Sequence, residues 1–167
     1  FLALVSYSNI SKIYLKLIKT DPHKDKELRD NFRNKELIEK YLKMEKIKEW
    51  EQAIINDGDF QNHSVEIKIP ALDKGYYILL AGTDSDFSYN EAALTYTTFY
   101  VTNLSFISQR DYDGTYNYHV LNRETGVPIA DVNAQTYYRE YDYKTRQYNT
   151  IKWESFTTDK NGYFKIT

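Results

Sequence analysis

The sequence predicts a mainly β protein with two tandem antiparallel β-sandwiches and one charged helix inserted in the first. Three observations predict this fold class. The 167 residues include 17 Tyr, 8 Phe and 2 Trp, and aromatic side chains suit a pleated, half-buried surface. Short β-rich runs bounded by turn residues recur along most of the chain. Only the segment at about 24–45 has a long stretch of apolar residues at helical spacing.

The first domain is predicted to span residues 1–103. Alternation of apolar and polar residues predicts strands over 12–20 and 65–69, because successive side chains of a strand point to opposite faces. Pro70 ends the second of these strands, since it has no amide hydrogen to donate. The run 76–81 is apolar at every position, which predicts a central strand buried on both faces. Further strands are predicted at 3–7, 47–55 and 95–101.

One helix is predicted within this domain, over about 24–45. Lys, Arg, Asp and Glu dominate the segment, which contains no Gly or Pro. Leu37 and Tyr41 follow the spacing of one helical face, and Asp21-Pro22 suits a helix start because Pro presets φ. We expect the apolar stripe to pack on a sheet. The alternative is a partner-binding helix, which requires that stripe to be exposed.

The second domain is predicted to span residues 104–167. Its β-rich runs follow one another with no helix between them, which is typical of an antiparallel sandwich. Turn signals such as Asp113-Gly114 separate the runs. The predicted strands are 104–108, 115–121, 132–140, 147–156 and 163–166. The start at Phe1 and the stop at Thr167 lead us to expect an excised fragment, whose second sandwich can be truncated.

The composition excludes several classes of protein. The net charge is −2, which gives no electrostatic reason to expect nucleic acid as a partner. The chain has no cysteine, so thiol catalysis, disulfides and Cys-ligated zinc are excluded for this stretch. No apolar run approaches the roughly 20 residues that a transmembrane helix needs, so we expect no transmembrane segment.

Two motifs in the second half resemble a known family. Residues 120–132 read as a strand, a tight turn and a strand, in which Gly126 permits positive φ and Pro128 presets φ. Residues 157–164 read as a turn that leads into the last strand. The pair Asn-Arg-x-Thr-Gly-x-Pro-Ile-Ala-x-Val and Thr-Thr-Asp-Lys-Asn-Gly-Tyr-Phe resembles the macroglobulin domains of bacterial alpha-2-macroglobulins. Related sequence motifs occur in carboxypeptidase-regulatory-like and collagen-adhesin B-type sandwiches, so this pair of motifs by itself indicates only a sandwich.

The first half narrows the resemblance. Residues 69–77, Ile-Pro-Ala-Leu-Asp-Lys-Gly-Tyr-Tyr, are similar to a turn that begins a buried strand in the preceding macroglobulin domain of the same proteins. The link at 99–105 is similar to the crossing between the two domains. The helix at about 24–45 matches least well and is interpreted as an insertion. The resemblance implies two immunoglobulin- or fibronectin-III-like sandwiches in tandem.

The resemblance also implies a function for a parent protein. Alpha-2-macroglobulins are large protease traps that collapse around a protease when a bait region is cleaved, and many carry a reactive thioester in a Cys-x-x-Gln motif. Neither part is recognisable in this chain. We therefore expect a non-enzymatic scaffold fragment outside the cytoplasm, in the periplasm or anchored at the outer membrane or cell surface. Its expected partners are other domains of the parent chain and, through the full-length protein, target proteases.

Candidate catalytic and metal-binding residues are few. His23, His63 and His119 are far apart and form no metal-ligand pattern, so we interpret them as structural or surface residues. Short Asp, Asn and Gly groups such as 56–59 and 159–162 could begin a calcium loop, but they lack its full spacing, and turns select the same residues. The sequence has no Gly-x-Ser-x-Gly elbow or P-loop. We predict no enzyme activity, catalytic residue, metal ligand or cofactor for this chain.

One segment, a hairpin at 137–148, is a candidate binding surface because it is rich in tyrosine. Its tyrosines are Tyr137, Tyr138, Tyr141, Tyr143 and Tyr148. Strand alternation places some of them outward in either register, and exposed Tyr beside Arg is common at recognition surfaces. This predicts an alternative function, a surface module that binds carbohydrate or protein. The competing interpretation is cross-strand aromatic pairing that stabilises a long hairpin.

Overall fold

The mainly β class is confirmed by the computed structural model, which describes residues 1–89 and 93–167. Within these ranges the chain forms eleven strands and two helices. All pairings between strands are antiparallel. The chain divides into two compact units, which we name unit 1 (Phe1–Val101) and unit 2 (Thr102–Thr167).

Unit 1 contains six strands and two helices among its described residues. The strands are β1 (Leu2–Tyr7), β2 (Lys12–Thr20), β3 (Lys46–Ala53), β4 (His63–Lys68), β5 (Gly75–Gly82) and β6 (Leu94–Val101). The helices are α1 (Pro22–Asn31) and α2 (Asn34–Leu42). Four strands form one sheet in the order β3-β2-β5-β6, and β1 and β4 form a two-stranded sheet.

The centre of unit 1 is β5, which is buried on both faces. The register places Leu79 opposite Leu17 of β2, and Ile78 opposite Ile18. Leu79 belongs to an apolar cluster that the four-stranded sheet shares with β1 and β4. Ile78 belongs to a second cluster, which the sheet shares with the helices. Because both faces are covered, β5 is apolar along almost its whole length, as the run 76–81 predicts.

The single helix predicted over about 24–45 is wrong, because the segment forms two helices. Phe32 ends α1 in an extended conformation, and Arg33, also extended, precedes α2. A continuous helix with about 3.6 residues per turn would place Leu37 on the side opposite Leu28. The break between the helices lets both of these side chains pack in the same cluster against the sheet.

The predicted start of the helical segment is confirmed. Asp21 Oδ1 accepts hydrogen bonds from the backbone N–H groups of His23 and Lys24, at 2.8 and 3.2 Å. Pro22 occupies the first turn of α1, where its missing N–H costs nothing. The apolar stripe of α2 is buried against the four-stranded sheet, so the alternative of an exposed, partner-binding stripe is wrong. Neither helix among the described residues has the length and apolar character that crossing a membrane requires.

Unit 2 consists of five strands. They are β7 (Leu104–Arg110), β8 (Tyr116–Asn122), β9 (Asn133–Asp142), β10 (Gln147–Thr157) and β11 (Tyr163–Ile166). One sheet has the order β11-β8-β7, and β9 and β10 form a hairpin. Stacked rings connect the two. Phe164 lies 4.8 Å from Tyr118 of β8 and 5.4 Å from Phe156 of β10, measured between ring centres.

The turn after β10 ties the two sheets of unit 2 together. Thr158 is buried; its Oγ1 accepts a hydrogen bond from the backbone N–H of Val132 at 2.9 Å and donates one to the carbonyl oxygen of Ile129 at 2.8 Å. Gly162, in the same turn, has φ +69°, and a Cβ there would overlap the backbone oxygen of Val120. This turn therefore requires glycine for two reasons, its backbone conformation and the close approach of a neighbouring strand.

Candidate functional site

The tyrosine-rich hairpin is formed by β9 and β10. Their register pairs Tyr141 with Tyr148, Arg139 with Thr150, and Tyr137 with Lys152. Residues directly opposite each other in antiparallel strands lie on the same face, and every second residue of a strand shares that face. One face therefore combines aromatic and cationic side chains. We name it the tyrosine face (Tyr137, Arg139, Tyr141, Tyr148 and Lys152).

Three of the five tyrosines meet at the tip of the hairpin. The ring centre of Tyr141 lies 5.0 Å from that of Tyr143 and 5.0 Å from that of Tyr148, with both pairs edge-to-face. Tyr143 lies in the turn that follows β9. Edge-to-face pairs contribute about 0.5–1.5 kcal/mol beyond the area they bury, so the three rings hold one another in place. We name them the tyrosine cluster.

The remaining two tyrosines lie elsewhere. Tyr137 is on the tyrosine face, further from the tip, whereas Tyr138 pairs with Ile151 and therefore lies on the opposite face. Arg139 joins the cluster instead, because its guanidinium carbon is 4.7 Å from the ring centre of Tyr148. Such a cation–π contact orients the guanidinium and leaves its edge open to a ligand.

The tyrosine cluster is accessible to a ligand. Tyr143 is 86% exposed and Tyr148 59% exposed, while Tyr141 between them is 36% exposed. The hydroxyl groups of these three residues make no hydrogen bond to any described residue. The cluster therefore offers ring surface for stacking and free hydroxyl groups for hydrogen bonds.

Asp142 holds the tip of the hairpin in shape. Its Oδ1 accepts hydrogen bonds from the backbone N–H groups of Lys144 and Thr145, at 2.8 and 3.4 Å. Hydrogen bonds from Lys144, which has the larger effect, and from Thr145 lower the pKa of the Asp142 carboxyl group. Arg146 has φ +56°, a left-handed conformation that leads the chain into β10. The turn thus holds Tyr143 beside the rest of the tyrosine cluster.

The histidines make local contacts. His63 Nε2 lies 2.9 Å from Asp59 Oδ1, and this hydrogen bond raises the pKa of His63 and lowers that of Asp59. The ring centre of His119 lies 5.1 Å from that of Tyr163. Among the residues that the structure describes, no group of three His, Cys, Asp or Glu side chains converges as a metal site would need.

The acidic turns bind their own backbone. Asp159 Oδ1 accepts hydrogen bonds from the backbone N–H groups of Asn161 and Tyr163, at 2.8 and 2.9 Å. Asp113 Oδ1 accepts one from Thr115 at 2.9 Å. This use of a carboxylate is typical of turns, and it favours the turn interpretation of these segments over a calcium loop.

Sequence reasoning missed an enclosed polar cluster around Asp25. The side chain of Asp25 is fully buried. Tyr41 Oη donates a hydrogen bond to its Oδ1 at 2.6 Å, Tyr76 Oη donates one to its Oδ2 at 2.5 Å, and Arg29 Nη2 lies 2.9 Å from Oδ2. The one signal in the sequence is the spacing of Asp25 and Arg29, which allows an ion pair across one helical turn. We name these four residues the Asp25 cluster.

The Asp25 cluster connects α1, α2 and β5. Burial, together with the hydrogen bond to Asp25, raises the pKa of Tyr41 above its usual range and also raises that of Tyr76. Both hydroxyl groups therefore remain donors at neutral pH. No buried side-chain nitrogen or oxygen of the described residues lacks a hydrogen-bond partner. A fully satisfied network of this kind holds the helices on the sheet.

Comparison with known proteins identifies no relative of the chain. No family model, curated protein or solved structure matches it. A functional proposal therefore depends on the strand order, the tyrosine face and the sequence motifs.

Proposed function

We propose that the chain is a non-enzymatic scaffold segment of a bacterial alpha-2-macroglobulin-like protease-trapping inhibitor, built from two immunoglobulin-type sandwiches. The strand order of unit 2 carries the proposal. In that sandwich, strands A, B and E belong to one sheet and strands C and C′ to the other. The sheet order β7-β8-β11 supports assigning these strands to A, B and E, and the hairpin of β9 and β10 to C and C′.

The motifs that carry the family resemblance coincide with the junctions of this pattern. Gly126 has φ +71° in the connection between β8 and β9, and its backbone N–H donates to the carbonyl oxygen of Asn122 at 2.8 Å. Gly162 lies immediately before β11, against the backbone of Val120. These glycines permit the backbone conformations that connect the strands, so the two motifs have a structural role.

The two sheets of unit 1 support the proposal that this unit is also a sandwich. Its two-stranded sheet and its four-stranded sheet share one apolar cluster, to which β4 contributes Ile67 and β2 contributes Leu15. Antiparallel sheets that bury a common apolar layer pack face to face. The helices cover the other face of the four-stranded sheet, in agreement with an insertion into the sandwich.

A scaffold acts by keeping its shape. In the proposed trap, unit 1 and unit 2 hold other domains of the parent chain at set distances, and they move as bodies when the trap closes around a target protease. The polar side chains described above support this role, because they serve turns, caps and the Asp25 cluster. Such a protein works outside the cytoplasm, in the periplasm or at the cell surface.

Protease-protection assays test the scaffold proposal. The complete gene product is incubated with a protease and then offered either a protein substrate or a short peptide substrate. A trap encloses the protease, so cleavage of the protein should fall while cleavage of the peptide continues. The 167-residue chain by itself should leave both activities unchanged. Inhibition of peptide cleavage by the complete product, or any inhibition by the isolated chain, would contradict the proposal.

The tyrosine face supports a second candidate function, a surface module that binds carbohydrate or protein. The observation that favours it is the exposure of Tyr143 and Tyr148 beside Arg139. Glycan-array and pull-down binding by the chain should be lost in the double variant Tyr141→Ala/Tyr143→Ala. The matched control is Tyr112→Ala, which removes a fully exposed tyrosine from the turn between β7 and β8. Binding that survives the double variant would rule out this candidate.

A further inference from the structure

The two faces of the hairpin carry charges of opposite sign. In its paired part, Arg139 and Lys152 lie on the tyrosine face, whereas Glu140 and Asp142 of β9 lie on the other face. The one carboxylate of β10, that of Glu154, falls within the bulge that follows Lys152. The tyrosine face is therefore cationic, although the whole chain has a net charge of −2.

The tyrosine face points away from the other sheet of unit 2. Phe156 of β10 pairs with Ala134, and its ring stacks on Phe164 of β11 at 5.4 Å between ring centres. Ala134 and Glu140 are an even number of positions apart along β9, so the face that bears Glu140 is the one that meets β11. Arg139 occupies an alternate position and is exposed. The tyrosine face is therefore an outer surface of unit 2.

Both cations of this face are available to an anion. Among the described residues, neither Arg139 nor Lys152 forms an ion pair. The ring of Tyr148, 4.7 Å from the guanidinium carbon of Arg139, covers one side of the guanidinium and leaves the N–H groups at its edge open to a carboxylate. An apolar element that covered the face would bury two unpaired charges, which is costly. The ligand that fits this face therefore carries negative charge.

The rings beside these cations narrow the class of ligand. Tyr137 and Tyr143 are 52% and 86% exposed, and the negative face of an aromatic ring attracts the C–H bonds of a sugar ring. The hydroxyl groups of a sugar can also bond with the free hydroxyl groups of the tyrosine cluster. Nucleic acid fits less well, because its binding sites neutralise many phosphates with a basic stripe, and this face offers two cations.

We propose that the tyrosine face binds a linear polysaccharide of uronic acids, with one carboxylate on Arg139 and sugar rings stacked on the exposed tyrosines. The planar guanidinium matches a carboxylate through two parallel hydrogen bonds, and Lys152, opposite Tyr137, binds a second carboxylate as a point charge. Tyr137 and Tyr141 are four positions apart, about 13 Å along β9, so the face spans more than one sugar. The inference rests on the second candidate function, in which this face binds a ligand, and names the class of that ligand.

Two oligosaccharides of equal length test the proposal. One is an oligomer of galacturonate, and the other is the same oligomer after reduction of its carboxyl groups to alcohols. Calorimetric titration of the whole chain at low salt should show the acidic oligomer binding at least about tenfold tighter, and added salt should remove most of this difference because it screens exposed charges. Equal affinities at low salt would overturn the inference and leave the second candidate function standing. Binding of neither oligomer would also overturn it, and the glycan-array and pull-down assays described above decide the second candidate function separately.

Two other polyanions separate the glycan from competing ligands. Polyglutamate offers carboxylates without sugar rings, and single-stranded oligothymidylate offers phosphates with bases that can stack. Each should bind at least about tenfold more weakly than the galacturonate oligomer. Equal or tighter binding of either would overturn the proposal, in favour of an acidic peptide or of nucleic acid.

Two pairs of Arg and Tyr in unit 2 provide matched variants. Arg139→Gln removes the cation beside Tyr148, whereas Arg110→Gln removes one that lies 5.4 Å from the ring centre of Tyr116, on the other sheet. The first variant should weaken binding of the galacturonate oligomer about tenfold and leave that of the reduced oligomer unchanged. The second should bind both oligomers as the unaltered chain does. Circular dichroism checks that both variants are folded, and equal losses in the two would overturn the proposal.

Two further variants separate stacking from charge. Tyr143→Ala removes the most exposed ring of the tyrosine cluster and should weaken binding of both oligomers by a similar factor. Lys152→Gln should weaken binding of the galacturonate oligomer alone. If Tyr143→Ala affected neither oligomer, or if Lys152→Gln weakened both equally, the proposed placement of the glycan would be wrong.

Discussion

Unit 1 and unit 2 are stabilised in different ways. Unit 1 buries apolar side chains on both faces of its four-stranded sheet, in two separate clusters. In unit 2, Val120 is the one buried hydrophobic side chain. Unit 2 depends instead on stacked rings and on hydrogen bonds around its turns, including those of Thr158.

The difference shows that strands alone do not make a core. β5 is covered by a sheet on one side and by helices on the other, so its apolar side chains leave water. β7 alternates apolar and polar residues, and its apolar side chains stay in water, with Leu104 46% and Phe106 66% exposed. The free energy gained from burial, about 25 cal/mol per Å² of apolar surface, is therefore concentrated in unit 1.

The largest expected effect comes from removing the centre of the Asp25 cluster. Asp25→Ala leaves the buried hydroxyl groups of Tyr41 and Tyr76 without their acceptor and Arg29 without its partner. Breaking a buried charged network typically costs about 3–5 kcal/mol, and chemical denaturation should show a loss of this size in unit 1. Asp30→Ala, which alters an exposed carboxylate of the same helix, is the control and should change stability little. Equal effects of the two variants would show that the Asp25 cluster does not hold the helices.

Equivalent truncations in the two units test the comparison directly. Leu17→Ala opens a cavity in the fully buried core of unit 1 and should lower the free energy of unfolding by about 2–5 kcal/mol. Phe106→Ala removes a larger but exposed side chain from unit 2 and should cost below about 1 kcal/mol. Amide hydrogen exchange, read separately for β2 and β7, assigns each loss to its unit. A larger loss from Phe106→Ala would mean that the face of β7 is covered in solution.

Two glycines of unit 2 separate backbone conformation from close packing. Gly162 and Gly126 have similar φ angles, +69° and +71°, but a Cβ at Gly162 meets the backbone of Val120 whereas one at Gly126 meets open space. Both changes to Ala incur the left-handed penalty of about 1–2 kcal/mol. Gly162→Ala should lose about 1–2 kcal/mol more, since the strand beside it must shift. Thermal unfolding measures the difference, and equal losses would contradict the close approach.

The smallest expected effect is a pH dependence in unit 1. The hydrogen bond to Asp59 raises the pKa of His63 above its ordinary value of 6.5. The stabilisation of the folded state by protonated His63 is complete below pH 6.5 and is lost as the pH rises through the raised pKa of His63. At the acid end it is lost as the pH falls through the lowered pKa of Asp59.

NMR titration of the His63 ring measures this shift. Asp59→Asn should return the pKa of His63 toward 6.5. Asp57→Asn, which removes a carboxylate of smaller influence, should leave most of the shift in place. An unchanged pKa in Asp59→Asn would show that the pair does not form in solution.

Local signals in the sequence predicted the mainly β class and the approximate positions of most strands. The strands β5 and β11 begin and end within one residue of their predicted limits. An apolar run indicates β5, and the glycine of the preceding turn indicates the start of β11. Both signals depend on only a few neighbouring residues. The break between α1 and α2 was missed, although it can be read from the change of phase between Phe32 and Leu37. Charge composition and the lack of Gly or Pro favoured one helix, but the need to bury both apolar stripes on one sheet was stronger.

The candidate site was predictable only in part. The sequence named five tyrosines of the hairpin, but the face on which each lies depends on the pairing register and on the bulge near Lys152. The Asp25 cluster was not predicted, since Asp25 resembles any charged residue of an exposed helix. Its burial follows from Tyr41 and Tyr76, which lie 16 and 51 residues further along the chain.

The sequence by itself determined the mainly β class, the approximate positions of the strands, the start of the helical segment and the turns that need glycine. Each of these depends on interactions between neighbours in the chain, such as strand alternation, capping and backbone conformation. Only the tertiary structure decided that Asp25 is enclosed, that the tyrosine face excludes Tyr138, and that Phe106 of β7 stays exposed. Those features depend on which distant segments meet, and residues far apart in the chain reveal their contacts only after folding.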